Sequence, residues 1–180
     1  RYSFVVSKEE SDDIFVNAQT FGYGMGNSID EITYELIVKF VFEHSNAEKI
    51  GLSRGDRITE IAGINLSEVL NHDDFTWPSF WDTIDQSQLV SFTWRKLDGT
   101  IVTKEMTQSK VTTNTIFATE VIESDIGKIG YLVYNSFINP SSEDLNQAFR
   151  YFNEQNVDEL IVDLRYNHGG TSQMSNQLAS

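Results

Sequence analysis

A short apolar run that ends in a polar turn and two adjacent glycines constrains the fold of this chain most. Residues 160–164 form the apolar run, and Gly169 and Gly170 follow it. The run predicts a buried strand, and residues 171–174 predict the start of a helix that a threonine or serine hydroxyl caps. Such a turn presents backbone N–H groups at the carboxyl edge of a sheet, where they bind a phosphate, a carboxylate or an oxyanion. A plain connection between strand and helix is the alternative.

The same stretch carries a recognisable pattern. Asp-Leu-Arg-x-Asn-x-Gly-Gly resembles the signature of the C-terminal processing (tail-specific) serine peptidases, and its defined positions are Asp163, Leu164, Arg165, Asn167, Gly169 and Gly170. That family carries a PDZ domain ahead of its protease core. The resemblance implies that the N–H of Gly169 or Gly170 is one arm of an oxyanion hole, and the sequence leaves the choice open. Asp163 and Arg165 lie two apart on a strand, hence on one face, which predicts an ion pair that holds the turn, together with Asn167. A direct role of this pair in substrate binding is the alternative.

Composition limits the partners. The chain of 180 residues has a net charge of -14, which argues against nucleic acid and anionic membranes. No apolar run approaches the roughly 20 residues of a membrane-spanning helix, so no membrane insertion is expected. Cysteine is absent, which excludes disulfides and thiolate metal sites. His44, His72 and His168 show no ligand spacing, so no metal or other cofactor is expected.

A second pattern lies in residues 46–63. It is similar to the PDZ pattern Ala-x-x-Ala-Gly-Leu-x-x-Gly-Asp-x-Ile-x-x-Ile-x-Gly, and the matching residues are Ala47, Gly51, Leu52, Gly55, Asp56, Ile58, Ile61 and Gly63. Residues 47–50 predict one helical turn that Gly51 ends in the left-handed region.

A glycine-rich segment precedes this pattern. Its residues are Gly22, Tyr23, Gly24, Met25 and Gly26. Glycines at alternate positions predict a loop whose N–H groups converge on an anion. In PDZ domains a loop at this place captures the C-terminal carboxylate of a peptide, which then adds to the sheet edge as a strand. The alternative is a glycine turn before a hairpin.

Further elements follow from local patterns. Ser7 and Glu10 predict a capping box for a helix that runs to about residue 17. The β-branched and aromatic residues of 32–43 predict one long strand, and residues 89–107 predict a hairpin. Residues 66–88 are rich in aromatic side chains. Most of these rings are assigned to the core, and one or two are expected to line the peptide groove as anchors. In this segment Pro78 is expected to keep Phe75 and Trp77 off one helix face with Trp81.

The carboxyl-terminal third predicts one βαβ unit. Residues 129–137 predict a strand, Pro140 the first turn of a helix, and Asn156 its left-handed stop. Together with the strand at 160–164 this gives parallel strands and a right-handed crossover. A Thr-rich connector at 109–123 predicts a strand before the unit.

The predicted fold class is α+β. It comprises a PDZ-like β-sandwich or partial barrel with short helices, followed by the opening βαβ unit of an α/β protease core. Expected boundaries are residues 1–20 for an N-terminal helical segment, 21–112 for the PDZ-like domain and 113–180 for the start of the peptidase core.

By resemblance the chain is the front portion of a tail-specific serine endopeptidase. The implied partners are polypeptide substrates with free C-termini, and the implied compartment is extracytoplasmic, either periplasmic or secreted. The alternative is a peptide-binding PDZ module without catalysis. The sequence leaves the oligomeric state open.

The family's serine nucleophile and lysine base lie downstream of the Gly-Gly turn, so this chain alone is expected to be inactive. Ser136, Ser175 and His168 are weak substitutes, because nothing in their spacing activates a serine. Valine at Gly169 or Gly170 is expected to remove activity and spare stability. Leu164→Ala is expected to cost about 2–5 kcal/mol through a cavity.

Overall fold

The computed structural model describes residues 5–180, which form two compact units. The terminal unit consists of residues 5–20 and 112–180, and the central unit consists of residues 21–111. Each unit has a hydrophobic cluster of its own. Helices and sheets occur together, so the mixed α+β class is confirmed.

Six helices and eleven strands are present within residues 5–180. The helices are α1 (Lys8–Phe15), α2 (Asn46–Ile50), α3 (Leu66–Val69), α4 (Trp77–Asp82), α5 (Ser141–Glu154) and α6 (Ser172–Ala179). The strands are β1 (Gln19–Gly22), β2 (Met25–Ile29), β3 (Leu36–Val41), β4 (Arg57–Ile61), β5 (Ile64–Asn65), β6 (Val90–Arg95), β7 (Ile101–Met106), β8 (Ser109–Thr112), β9 (Ile116–Ser124), β10 (Gly127–Tyr134) and β11 (Glu159–Asp163). β1 pairs with β8. None of these helices is long and apolar enough to cross a membrane.

The central unit is built on an antiparallel sheet. Its strand order is β2-β3-β4-β6-β7, with β5 paired to β4. The predicted hairpin is confirmed as β6 and β7, which pair from Val90–Met106 to Arg95–Ile101. Apolar side chains from one face of the sheet pack against α3 and α4. The most deeply buried residues of this cluster come from the sheet and from α2 and α3: Leu36, Val38, Ala47, Ile58, Ile61, Leu66, Phe92 and Trp94.

The helical turn predicted at residues 47–50 is confirmed as α2. The Ser45 side chain accepts from the N–H of Glu48 at its start, and Gly51 ends it with φ +90°. A positive φ without steric cost is the reason for glycine at this stop.

The single long strand predicted at residues 32–43 is wrong. β3 covers only Leu36–Val41, and a turn precedes it. Asp30 forms this turn, because its Oδ1 accepts from the N–H groups of Ile32 and Thr33, and Tyr34 adopts φ +55°. Local side-chain-to-backbone bonds here outweigh the β propensity of Ile32, Thr33 and Tyr34.

Two arginines fasten this turn to the sheet. Arg57 Nη1 lies 2.7 Å from Asp30 Oδ2 and 3.2 Å from Glu35 Oε2, and Arg95 Nη2 lies 2.6 Å from Glu35 Oε1. The hydrogen bond from Arg57, with backbone N–H groups, lowers the pKa of Asp30 to about 2.

The prediction that Pro78 separates the aromatic side chains is wrong. Pro78 lies in the first turn of α4, where the helix needs no N–H donor, and Thr76 caps it by accepting from Ser79 N–H. Trp77 and Trp81 are therefore one turn apart on the same face. Their rings stack with centroids 6.3 Å apart at an interplanar angle of 25°.

The terminal unit has a three-stranded sheet in the order β11-β10-β9. β10 is antiparallel to β9 and parallel to β11, so the predicted parallel pair is confirmed. α5 packs on one face through the buried side chains of Leu145, Ala148 and Phe152. Asn156 follows it with φ +55°, as predicted. The Ser7–Glu10 capping box of α1 is present as well.

The prediction that residues 160–164 form a buried strand is wrong for this chain. β11 pairs only with β10 among residues 5–180, and Leu160, Ile161 and Leu164 are 40%, 49% and 40% exposed. Leu164→Ala therefore leaves no enclosed cavity, and the large destabilisation expected from the sequence does not follow.

Candidate functional site

The Gly-Gly turn lies at the carboxyl end of the parallel pair. β10 and β11 run in register from Ile129–Glu159 to Val133–Asp163, so both strands end at one edge of the sheet. The segment after β10 returns to the turn through a bridge between Phe137 and Gly170. In this bridge Phe137 N–H donates to Gly169 O at 3.0 Å. The turn is thus held to both strands that precede it.

A buried carboxylate anchors the start of the turn. Asp163 Oδ1 accepts from Arg165 N–H at 3.0 Å, and Arg165 Nε lies 2.9 Å from Asp163 Oδ2. Tyr131 on the neighbouring strand donates its hydroxyl to Asp163 Oδ2 at 2.7 Å. These hydrogen bonds, the one from Arg165 first, hold the pKa of Asp163 well below its usual range. They also raise the pKa of Arg165.

Asn167 links the middle of the turn to β10. Its Nδ2 donates to Tyr134 O at 3.1 Å, and its Oδ1 accepts from Gly169 N–H at 2.7 Å. The N–H of Gly169 is therefore already bonded within the turn.

Gly170 differs from Gly169 in both its N–H group and its surroundings. Its N–H has no hydrogen-bond partner among residues 5–180. Its φ is +145°, and a Cβ there would lie 2.1 Å from Phe137 O. Gly169 has φ +98°, but a Cβ would meet no atom within 4 Å. Position 170 thus requires glycine because the backbone of Phe137 lies too close for a side chain. Position 169 favours glycine only because of its positive φ.

This geometry corrects the expectation that valine at either glycine would spare stability. At Gly170 any side chain collides with the backbone of Phe137, so folding and function change together. Only Gly169 offers room for a substitution that separates them.

The helix after the turn begins as predicted. Thr171 caps α6 by accepting from Met174 N–H, and its own N–H donates to Phe137 O at 2.6 Å. Of the two candidate hydroxyls in the sequence, that of Thr171 is therefore the helix cap.

The substitute nucleophiles are not activated in the described chain. Ser175 donates its hydroxyl to Ser172 O at 2.9 Å, and neither Ser136 nor Ser175 hydrogen-bonds to His168. Within residues 5–180 no group of three or more acidic or histidine side chains is placed to hold a metal ion.

In the central unit the predicted glycine loop is a tight turn between β1 and β2. Gly22 ends β1, Tyr23 and Gly24 form the turn, and Met25 and Gly26 lie in β2. The N–H groups of Tyr23 and Gly24 have no hydrogen-bond partner among residues 5–180.

Packing explains two of the three glycines in this turn. A Cβ at Gly24 would lie 2.1 Å from Ser45 Cβ, and one at Gly26 would lie 2.2 Å from the ring of Phe40. Gly22 has open space around it. Glycine at 24 and 26 therefore needs no ligand to account for it.

A groove adjoins this turn. It lies between the free edge of β2 and α4, and its volume is about 270 Å³. Its lining is mostly aromatic and aliphatic: Tyr23, Met25, Asn27, Leu36, Ile61, Trp77, Trp81 and Phe92. The sequence missed the pairing of Trp77 with Trp81, although their i, i+4 spacing was the signal that could have found it.

A hollow of about 530 Å³ in the terminal unit is roomier, but it contains neither glycine of the turn. Residues 112–116 and the side chains of Thr119, Asp144, Gln147, Ala148 and Tyr151 line it. We do not assign it to the candidate site.

Comparison with known proteins shows what this part of the chain is similar to. Residues 128–180 match peptidase family S41. The resemblance to the C-terminal processing peptidases is therefore confirmed. The matched residues contain β10, α5, β11 and the Gly-Gly turn, which is the part of the chain that holds the candidate site.

The wider chain is similar to processing proteases along most of its length. It is 23% identical over 174 residues to the carboxy-terminal processing protease CtpB of Bacillus subtilis (strain 168), covering 94% of this chain and 34% of that protein. A solved structure from Bacteroides fragilis NCTC 9343, assigned to the S41 proteases, has a TM-score of 0.60 at 22% identity, covering 91% of this chain and 45% of the other. The photosystem II D1 C-terminal processing protease has a TM-score of 0.56 at 21% identity, with 91% and 44% covered. The chain thus spans less than half the length of each of these proteins.

Proposed function

We propose that this chain is the front portion of a tail-specific serine endopeptidase. Its central unit recruits the free C-terminus of a polypeptide, and its terminal unit supplies one donor of the oxyanion hole. The partners are polypeptide substrates, and the working compartment is extracytoplasmic, by analogy with the processing proteases it resembles.

The observation that carries the proposal is the unpaired N–H of Gly170. Backbone N–H groups that lack an internal partner at the edge of a sheet stabilise an oxyanion when a carbonyl is attacked beside them. Gly169 N–H is bonded to Asn167 Oδ1 at 2.7 Å, so it is not available without breaking that bond. We therefore assign the donor to Gly170.

The ion pair supports this role indirectly. Asp163, with Tyr131 and Arg165, fixes the start of the turn, and Asn167 fixes its middle. A donor held on both sides is already oriented before the reaction, which is the condition for effective electrostatic stabilisation.

The central unit supports peptide capture. The neighbouring N–H groups of Tyr23 and Gly24 have no partner within residues 5–180, so they can donate to the C-terminal carboxylate of a peptide. The free edge of β2 offers backbone partners to an extended peptide, and the aromatic groove offers a place for its last side chain. This arrangement supports the proposed PDZ-like role of the central unit.

The second candidate function is a peptide-binding module without catalysis. The observation that favours it concerns the two candidate serines within residues 5–180: the Ser175 hydroxyl donates to Ser172 O, and neither Ser136 nor Ser175 has a histidine partner. Because neither serine has a histidine partner within residues 5–180, we expect no cleavage by the 180-residue chain under either function.

A cleavage assay tests the proposal. A protein that continues this chain through the rest of its core should degrade an unstructured polypeptide with a free C-terminus, and the 180-residue chain should not. Cleavage by the 180-residue chain that is lost in Ser136→Ala or Ser175→Ala would refute the proposal that neither serine of this chain is the nucleophile. A continued protein that binds the substrate and leaves it intact would favour the non-catalytic module.

A further inference from the structure

One segment of the central unit carries all of its net charge. Residues 58–94 contain six acidic side chains and neither lysine nor arginine: Glu60, Glu68, Asp73, Asp74, Asp82 and Asp85. The rest of residues 21–111 contains eight acidic and eight basic side chains, so it is neutral. The negative field of this unit therefore originates on one segment.

The acidic side chains of this segment are not neutralised internally. Asp30 and Glu35, elsewhere in the unit, pair with Arg57 and Arg95. None of the six forms an ion pair within residues 5–180, and five of them are exposed. Their field thus remains available to a charged partner in solution.

The same segment builds half of the groove beside β2. Trp77 and Trp81 on α4 form one wall, and Ile61 and Phe92 contribute to the floor. Trp81 approaches Tyr23, with centroids 5.8 Å apart, so this end of α4 lies at the glycine turn. Trp77 is one helical turn farther along the wall.

The acidic pair Asp73-Asp74 comes just before that far end of α4 in the chain. The next residue, Phe75, makes an edge-to-face contact with Trp77, with ring centroids 5.1 Å apart, and Asp74 lines a neighbouring hollow with Phe75, Thr76 and Ser79. A peptide whose carboxylate reaches Tyr23 and Gly24 would pass Trp81, then Trp77, and its upstream residues would meet Asp73 and Asp74.

We propose that the groove selects C-termini with a large apolar last residue and lysine or arginine a few residues upstream. This inference rests on the proposed capture of C-termini and names the substrate class. The aromatic walls accept the last side chain and the aliphatic stems of the basic residues, while Asp73 and Asp74 attract their charges. An acidic segment upstream is repelled by the same field.

Paired peptides test the selectivity on the full 180-residue chain. Two eight-residue peptides share phenylalanine at a free C-terminus and differ only at the fourth and fifth positions from the end, Lys-Arg in one and Glu-Glu in the other. Tryptophan fluorescence should give a dissociation constant about tenfold lower for the basic peptide at low salt, because each exposed charge pair contributes a few-fold. At about 0.5 M salt the ratio should fall toward one, since screening is then nearly complete.

Two variants with the same change in net charge localise the effect. Asp73→Asn together with Asp74→Asn should reduce the ratio to about two- to threefold, as expected for loss of the two nearest charges. Glu105→Lys, on the exposed side of β7 and outside the segment, should leave it close to the wild-type value.

The outcomes are distinguishable. Equal binding of both peptides, with amidation abolishing it, would overturn the charge selectivity and leave carboxylate capture intact. Binding that is the same for acid and amide forms, or no binding of either peptide, would overturn the capture itself and the selectivity with it.

Discussion

Within residues 5–180 the turns at Gly24 and at Gly170 contain backbone N–H groups without a hydrogen-bond partner, and different side-chain contacts hold the two turns. The turn at Gly170 is fixed by polar contacts that involve Asp163 and Asn167. At the turn of Tyr23 and Gly24 both carbonyl oxygens accept backbone hydrogen bonds, and the side-chain contacts are packing contacts: the ring of Tyr23 lies 4.9 Å from Phe92 and 5.8 Å from Trp81.

The difference matches the two proposed roles. An oxyanion donor needs a fixed direction, which hydrogen bonds impose. A recruiting groove needs apolar surface next to a pair of donors, which aromatic side chains supply. Polar substitutions should therefore disturb the first turn, and large-to-small substitutions should disturb the second.

The largest effect is expected in the packed turn. Phe92 is fully buried and supports Tyr23, so Phe92→Ala should cost about 3–5 kcal/mol of unfolding free energy and also weaken peptide binding. Urea unfolding followed by tryptophan fluorescence measures it, because Trp94 and Trp81 lie in the same unit. A loss below about 1 kcal/mol would contradict the view that packing holds this turn.

The next largest effects are expected at the two glycines of the polar turn, whose alanine variants should differ in turnover. In a continued, active protein, Gly170→Ala should lower turnover by about 10²–10³, the usual cost of an oxyanion donor, and should also lower the melting temperature. Gly169→Ala has room for its Cβ and should cost about 1 kcal/mol of stability for its positive φ. It should lower turnover by less than about tenfold, since its N–H is not the proposed donor.

Cleavage rates and melts of the two variants decide between the glycines. A greater loss of turnover in Gly169→Ala than in Gly170→Ala would reassign the donor to Gly169.

Acid should weaken both units, and over different ranges of pH. The pKa values of Asp30 and Asp163 are lower in the folded chain than in the unfolded one, so each carboxylate stabilises the fold above its unfolded pKa. The contribution of Asp30 should fade as pH falls from about 4 to about 2, and that of Asp163 should persist to lower pH.

Urea unfolding of wild type, Asp30→Asn and Asp163→Asn between about pH 6 and about pH 2 checks this, because this range extends above and below the ordinary carboxyl pKa. The difference in stability between wild type and each variant should shrink as pH falls. A difference that grows toward low pH would contradict the sign of the shifts.

The smallest effect is expected at the exposed edge strand. Leu164 is 40% exposed, so Leu164→Ala should cost less than about 1 kcal/mol in this chain. A loss of 2 kcal/mol or more, roughly that of a buried leucine, would indicate that this edge is covered in solution.

The sequence predicted the parts of the fold that local rules determine. The capping box at Ser7 and Glu10 and the left-handed stops at Gly51 and Asn156 were confirmed, because each depends on neighbours within one or two turns. The position of the Gly-Gly turn was predicted as well, since its pattern is contiguous.

The errors arose where a side-chain hydrogen bond outweighed β propensity, or where burial depended on contacts between strands distant in sequence. Asp30 converted the start of a predicted strand into a turn, and the exposure of β11 depends on which strands lie beside it. The choice between Gly169 and Gly170 depends on Asn167 Oδ1 and on Phe137 O, and neither contact follows from sequence spacing.

The central claim is that the two turns present N–H groups for two different tasks, and one titration tests it most directly. Adding a free-acid peptide with a large apolar last residue to the ¹⁵N-labelled 180-residue chain should shift the amide signals of Tyr23 and Gly24 and leave that of Gly170 unchanged. The amidated peptide should shift none of them. Equal shifts with acid and amide peptides, or a shift of Gly170 in place of Gly24, would contradict this account.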